Sequence, residues 1–132
     1  GCAGEGIVDP ISSGPLCTDV APFRAELHCI QQIVLTPTCA LSGCHRAPGA
    51  QEGMELTDGN AYAHLVGVAS NQAFPPMDRV VPGDPDNSYL IVKLEGVDPR
   101  LAGGQMPAGG PFLSQAELNV IRQWILNGAM DD

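Results

Sequence analysis

Seven residues, Cys39-Ala40-Leu41-Ser42-Gly43-Cys44-His45, constrain this chain more than any other stretch. Two thiols and an imidazole lie within one short run of backbone, and the step Cys44-His45 leaves no slack between the second thiol and the ring. The residues between the thiols have to loop outward, and Ser42-Gly43 supplies a turn-competent pair in which Gly43 is free to take positive φ. The rest of the chain needs help to build a core. It has six aromatic residues in 132, and its 16 Gly and 12 Pro make up about a fifth of the sequence, short of the level expected for disorder. Such a chain is one loop-rich domain with a thin core of its own side chains.

The usual haem c attachment signal is C-x-x-C-H: two thiols add across the porphyrin vinyl groups and the adjacent imidazole takes an axial position on iron. Here four residues separate the thiols instead of two. With the Cys-His step intact, the stretch resembles c-type cytochromes of the less common C-x-x-x-x-C-H variety. The segment Gly104-Gln105-Met106-Pro107-Ala108-Gly109-Gly110-Pro111, followed by a helix containing Trp124 and ending at Asn127-Gly128-Ala129, looks like the second half of a small monohaem cytochrome. Val81-Pro82-Gly83-Asp84-Pro85-Asp86-Asn87-Ser88-Tyr89-Leu90 is similar to the connector of such bacterial domains. These segments cover roughly Arg24 to Ala129 on the motif reading.

The resemblance implies an all-α, class I cytochrome c-like fold, three to five short helices and long loops wrapped around one covalently bound haem. It implies thioether bonds at Cys39 and Cys44, His45 as proximal ligand and Met106 as distal ligand, and single-electron transfer between exported redox partners without substrate chemistry. A soft thioether donor favours Fe(II), so His/Met ligation raises the reduction potential relative to His/His. A buried macrocycle would also supply the apolar surface that the chain lacks. Two thioethers would leave three of the five cysteines, and Cys29, on a flank of the first helix, then has Cys17 as its obvious partner, with free thiols as the alternative.

The formal charge of −9 disfavours nucleic acid and anionic membrane surfaces. Its bland reading is a solvated surface; its functional one is steering toward a basic redox partner. No stretch is long and apolar enough to span a bilayer and no signal peptide is seen, yet the thioether attachment that the resemblance implies and the spare cysteines point to the exported, oxidising side of a bacterial membrane, so the expectation is a mature chain on its periplasmic or extracellular side. Residues 1–18 read as an arm or tether before a domain at 19–132. Cys2 follows a small residue, as at the end of a lipoprotein processing site, where it would carry acyl chains; Gly1, which processing would remove, leaves a plain thiol, a disulfide or an expression remnant as alternatives.

The first helix is expected from about Val20 to Leu35, capped by Thr18 or Asp19, with Pro22 in its first turn and Pro37 ending it. Phe23, Leu27, Ile30 and Val34 form its apolar face, leaving His28 and Gln32 toward solvent. A short helix follows the Asn60 cap to about Val66, a third runs from Tyr89 to Glu95 behind Asp86, Asn87 or Ser88, and the last starts at the capping box Ser114-Gln115-Ala116-Glu117 and stops at Gly128. In that helix Leu118, Ile121 and Ile125 form the stripe, with Trp124 beside it. No sustained alternation predicts a sheet.

Competing readings bear on the same residues. A zinc cluster of Cys39, Cys44 and His45 would need a fourth ligand from His28 or His64. Met77 in Phe74-Pro75-Pro76-Met77, Met54 and His64 compete with Met106. Tyr62, Tyr89, Trp124, Arg79 and Lys93 are candidate partners for haem propionates, with core packing the preferred role of Trp124. An open distal position would suit a peroxidase or gas sensor, though no distal acid-base pair is recognisable. Alternatively, the haem belongs to a structural subunit of a larger electron-transfer assembly.

Overall fold

The computed structural model describes Cys17 and residues 23–132. Apart from Cys17, the expected arm falls outside these residues, as do Cys2, the Thr18 or Asp19 cap and Pro22. The fold is all-α: α1 (Leu27–Ile30) runs directly into a π-type segment, Gln31–Cys39, followed by α2 (Ala61–Leu65), α3 (Tyr89–Glu95) and α4 (Gln115–Leu126). Among the described residues there is no strand, only three isolated bridges, Ser42 with Arg46, Val66 with Val80 and Ala69 with Asp78.

The first helix departs from its expected bounds at both ends. Glu26 is extended, at φ −128° and ψ 146°, so the helix begins at Leu27. The side chain of Glu26, at the N-cap, does not cap it. Instead Asp132 reaches across from the far end of the sequence, its Oδ1 accepting from Leu27 N at 2.8 Å, which satisfies an orphan helix donor and places a carboxylate at the positive end of the dipole. At the other end Pro37 does not terminate the helix. The backbone widens to i→i−5 bonding, as in Ala40 N–H to Leu35 C=O at 2.7 Å. A proline ring collides with the carbonyl four residues back in an α-helix, and the wider π turn relieves that crowding. The helix therefore continues two residues past Pro37 and delivers Cys39 at its end.

The core forms where α1 meets α4 and where α4 meets α3. Phe23, Leu27, Ile30 and Val34 are buried, as are Leu118, Ile121 and Ile125 of α4. Trp124 is 1% exposed, inside the core rather than beside it. Its Nε1 donates to the Met130 carbonyl at 2.8 Å, so the indole is buried without an unpaired donor. The capping box forms as its sequence requires: Glu117 N donates to Ser114 Oγ at 3.2 Å and Ser114 N donates to Glu117 Oε1 at 2.9 Å.

The connector before α3 is fixed by Ser88, which is wholly buried. Its hydroxyl accepts from Val81 N at 2.8 Å and donates to Asp84 C=O at 2.9 Å. Ser88 thus starts α3 without capping it by side chain. Arg122 of α4 then ties α3 to this connector, donating to Glu95 through Nε and Nη2 and to Asp86 through Nη1 at 2.8 Å. Finally, Cys17 and Cys29 form a disulfide across a sequence separation of 12, with Cα atoms 5.2 Å apart.

Candidate functional site

The loop after the π segment turns back on itself. Gly43 takes φ +80°, the left-handed conformation that its position between the two cysteines demands. Cys44 N donates to Leu41 C=O at 2.9 Å and His45 N donates to Cys39 C=O at 3.2 Å, so the histidine backbone is hydrogen-bonded to the first cysteine. Leu56 N donates to the His45 carbonyl at 2.8 Å from the other side. Cys39, Cys44 and His45 are all buried.

These three side chains open onto one cavity of about 280 Å³. Met106 and Met54 line it as well, with an apolar wall that includes Val34, Leu35, Leu56, Leu65 and Leu94. His28, His64, Met77, Tyr62 and Trp124 do not. His64 is instead held at the surface, its Nδ1 near Glu55 N and the Gly53 carbonyl. His28 lies against Cys29, so the fourth ligand required for a zinc cluster at Cys39 is not supplied by either histidine among the described residues.

The chemistry of His45 follows from a single bond. Its Nδ1 lies 3.0 Å from the Met54 main-chain oxygen, which can only accept, so Nδ1 carries the proton and Nε2 keeps its lone pair. Burial lowers the imidazole pKa below its ordinary value, more than the Met54 and Gln51 carbonyls raise it, with Arg79 and Lys93 adding to the depression. The ring is therefore held neutral with its proton on the nitrogen bonded to the main chain, the arrangement shared by metal-binding histidines. Burial likewise raises the Cys39 pKa, opposed by Thr38 and assisted by Glu117, which keeps this free thiol protonated. Cys44 is engaged in a disulfide, so any covalent attachment at that sulfur would start from the reduced chain.

The two methionines of the cavity belong to different walls. Met54 is joined to the His45 wall through its carbonyl. Met106 is held to α3, its N–H donating to the Lys93 carbonyl at 2.9 Å, while the neighbouring Gln105 Nε2 donates to the Leu94 carbonyl at 2.9 Å. A planar cofactor bound between His45 and a second ligand needs donors from separate walls, which favours Met106 over Met54.

Arg79, Lys93 and Tyr89 are among the polar residues that interrupt the apolar lining. Arg79, 7% exposed, donates to the His64 and Glu52 carbonyls at 2.8 Å each. Lys93, 9% exposed, donates through Nζ to the Ala102 carbonyl at 2.8 Å, and the Tyr89 hydroxyl accepts from Ala102 N at 2.9 Å. Neither cation forms an ion pair among the described residues. Burial lowers the pKa of both, offset by the field of Glu52. Against the one carboxylate of the lining, Glu52, the two buried cations leave the cavity a net positive charge, which makes it receptive to an anionic ligand.

Sequence reasoning missed the role of Glu52. It adopts φ 57° although it is not glycine. Its carbonyl accepts from Arg79 and from Asn71 Nδ2 at 2.9 Å, and its carboxylate accepts from Gln72 Nε2 at 3.1 Å. These contacts clasp two cavity-lining loops together. No local signal marks a glutamate for the left-handed region, so only the assembled structure reveals it.

The donor set suits haem once the Cys44 disulfide is reduced: the free Cys39 thiol, the Cys44 thiol, a neutral imidazole and a thioether then share an apolar cavity with two buried cations. The volume is less generous. It lies at the lower edge of the ~300–1,000 Å³ of small-molecule sites, so a tetrapyrrole would require the walls to part. Comparison with known protein families, with curated proteins and with solved structures finds no match to this chain.

Proposed function

We propose that this chain is a monohaem c-type cytochrome of class I-like architecture, an electron-transfer protein rather than an enzyme, working between exported redox partners on the periplasmic or extracellular side of a bacterial membrane. The observation that carries the reading is the state of His45: neutral, buried, protonated at Nδ1 by its bond to Met54, and sharing an apolar cavity with Cys39, Cys44 and Met106. Bound haem would supply a one-electron iron couple. Cys39 and, once reduced, Cys44 would hold it covalently, His45 and Met106 would ligate its iron, and Arg79 and Lys93 would offset its carboxylates.

The rest of the chain's contribution is rigidity and exclusion of water. The Met54 bond fixes the imidazole plane and tautomer, and the tie of Met106 to Lys93 keeps the thioether loop against α3. An imidazole and a thioether held in place by these main-chain bonds would move little on electron transfer, which would keep the reorganisation small. The net charge of −9 favours a partner with a basic docking face.

The test is mass spectrometry of the chain produced with haem-attachment machinery, followed by absorption spectra of both oxidation states beside a Met106→Ala variant. The expected result is a mass increase of one haem. A far-red sulfur-to-iron charge-transfer band should appear in the native chain and vanish in the variant. Haem without that band would move the distal ligand elsewhere or leave it open, as in a peroxidase or gas sensor. No attached haem would overturn the proposal.

A further inference from the structure

We propose that Cys17, His28 and Cys29 form a second, redox-gated site, which binds a thiophilic divalent cation such as Zn²⁺ once the Cys17–Cys29 disulfide is reduced. The two sulfurs and the His28 ring nitrogen lie within 4.8 Å of one another. None of the three residues lines the cavity described above, and the assignment does not depend on whether haem is attached at Cys39.

The histidine is already arranged as a ligand. Its Nδ1 sits 2.6 Å from the main-chain oxygen of Asp132 and 3.8 Å from Glu26 Oε2, both acceptors. The proton therefore belongs on Nδ1, and the Nε2 lone pair points at Cys29 Sγ, 3.5 Å away. With a Zn–S bond of ~2.3 Å and a Zn–N bond of ~2.0 Å, a tetrahedral centre separates sulfur and nitrogen by roughly 3.5 Å. That edge of the tetrahedron is present before any metal arrives. The edge between the two sulfurs is closed by the disulfide and must open to the roughly 3.8 Å between two zinc-bound sulfurs, while the Cys17 sulfur, already within 4.8 Å of the His28 nitrogen, settles at tetrahedral distance from it. Cys29 is buried while Cys17 and His28 are half-buried, which leaves a side for the ion to enter and for water to complete the coordination.

The chemistry balances with an external dithiol as reductant. Two electrons and two protons pass from the dithiol to the protein disulfide, which becomes two thiols while the dithiol closes to its own disulfide. On metal binding the two thiols lose their protons to solvent and the thiolates bind the cation. The link from Cys17 to the first helix is thereby kept under reducing conditions, as a metal bridge in place of a covalent one.

The test uses the full chain carrying Cys2→Ser, Cys39→Ser and Cys44→Ser, which leaves only Cys17 and Cys29. It is titrated with Co²⁺, and then with Zn²⁺ in competition, before and after reduction by a dithiol that is subsequently removed. The expected result is no cobalt-thiolate absorption in the oxidised chain and one ion per reduced chain. Adding His28→Gln should weaken the affinity of the reduced chain at least tenfold. If the triple variant does not fold, the same comparison is made in the reduced parent chain with and without His28→Gln. Equal binding before and after reduction, no binding after reduction, or indifference to His28→Gln would each overturn the proposal.

Discussion

His45 shows how one hydrogen bond decides what a side chain can do. Replacing Met54 would leave that bond in place, because the acceptor is main chain, whereas displacing the Met54 backbone would free the imidazole to rotate and to take its proton on the other nitrogen. Cys39 is the complementary case, a free thiol held protonated by burial. Before attachment of any cofactor, its alkylation by iodoacetamide at pH 8 should be at least tenfold slower in the folded chain than in urea. Equal rates would mean that the thiol is not enclosed as the structure has it. Because its pKa lies above the ordinary value of 9.0 in the fold, the neutral form is the one that folding favours. Its contribution to stability is therefore full below pH 9 and declines as the pH rises through the folded value. A urea titration of the unattached chain between pH 8 and 10 should show that decline.

Among the elements, α3 carries the most consequence for the cavity. It ends at Gly96, at φ +74°, and a side chain there would run into Gln105, whose amide is bonded to Leu94. Gly96→Ala should cost about 1 kcal/mol for the left-handed conformation alone. It should also loosen the Met106 loop, weakening the charge-transfer band of the haem-loaded protein. A loss of stability with the band unchanged would mean that the loop is held by other contacts. For α4, Ser114→Ala should cost about 1 kcal/mol in chemical denaturation, since both halves of the capping box are formed. That helix was legible in the sequence because its capping box and apolar stripe are local, and the bounds of α3 were too, although the side-chain cap expected for it does not form. The first helix was legible only in its apolar face. Its start depends on Asp132, more than a hundred residues away, and its passage through Pro37 depends on a π geometry that no local pattern announces. Cys39, Cys44, His45 and Met106 were singled out on the motif resemblance, and all four line one cavity. The Glu52 clasp and the Met54 carbonyl were not, since main-chain acceptors carry no residue code.

For the whole molecule, the ends matter as much as the middle. The Cys17–Cys29 disulfide closes a short loop, and replacing both cysteines with serine should cost about 3 kcal/mol on the loop-entropy estimate. An unchanged urea midpoint would mean that the segment around Cys17 is ordered by other contacts. At the opposite end, Asp132 caps the first helix and Met130 accepts from the indole of Trp124. Trp124 is the one tryptophan of the chain and is almost wholly enclosed. The protein thus contains its own fluorescent probe, with no competing indole to resolve. Its emission should be blue-shifted in the native state. Peeling away the final residues should move it to the red before the helices melt, which makes detachment of the tail visible as an optical event separate from global unfolding.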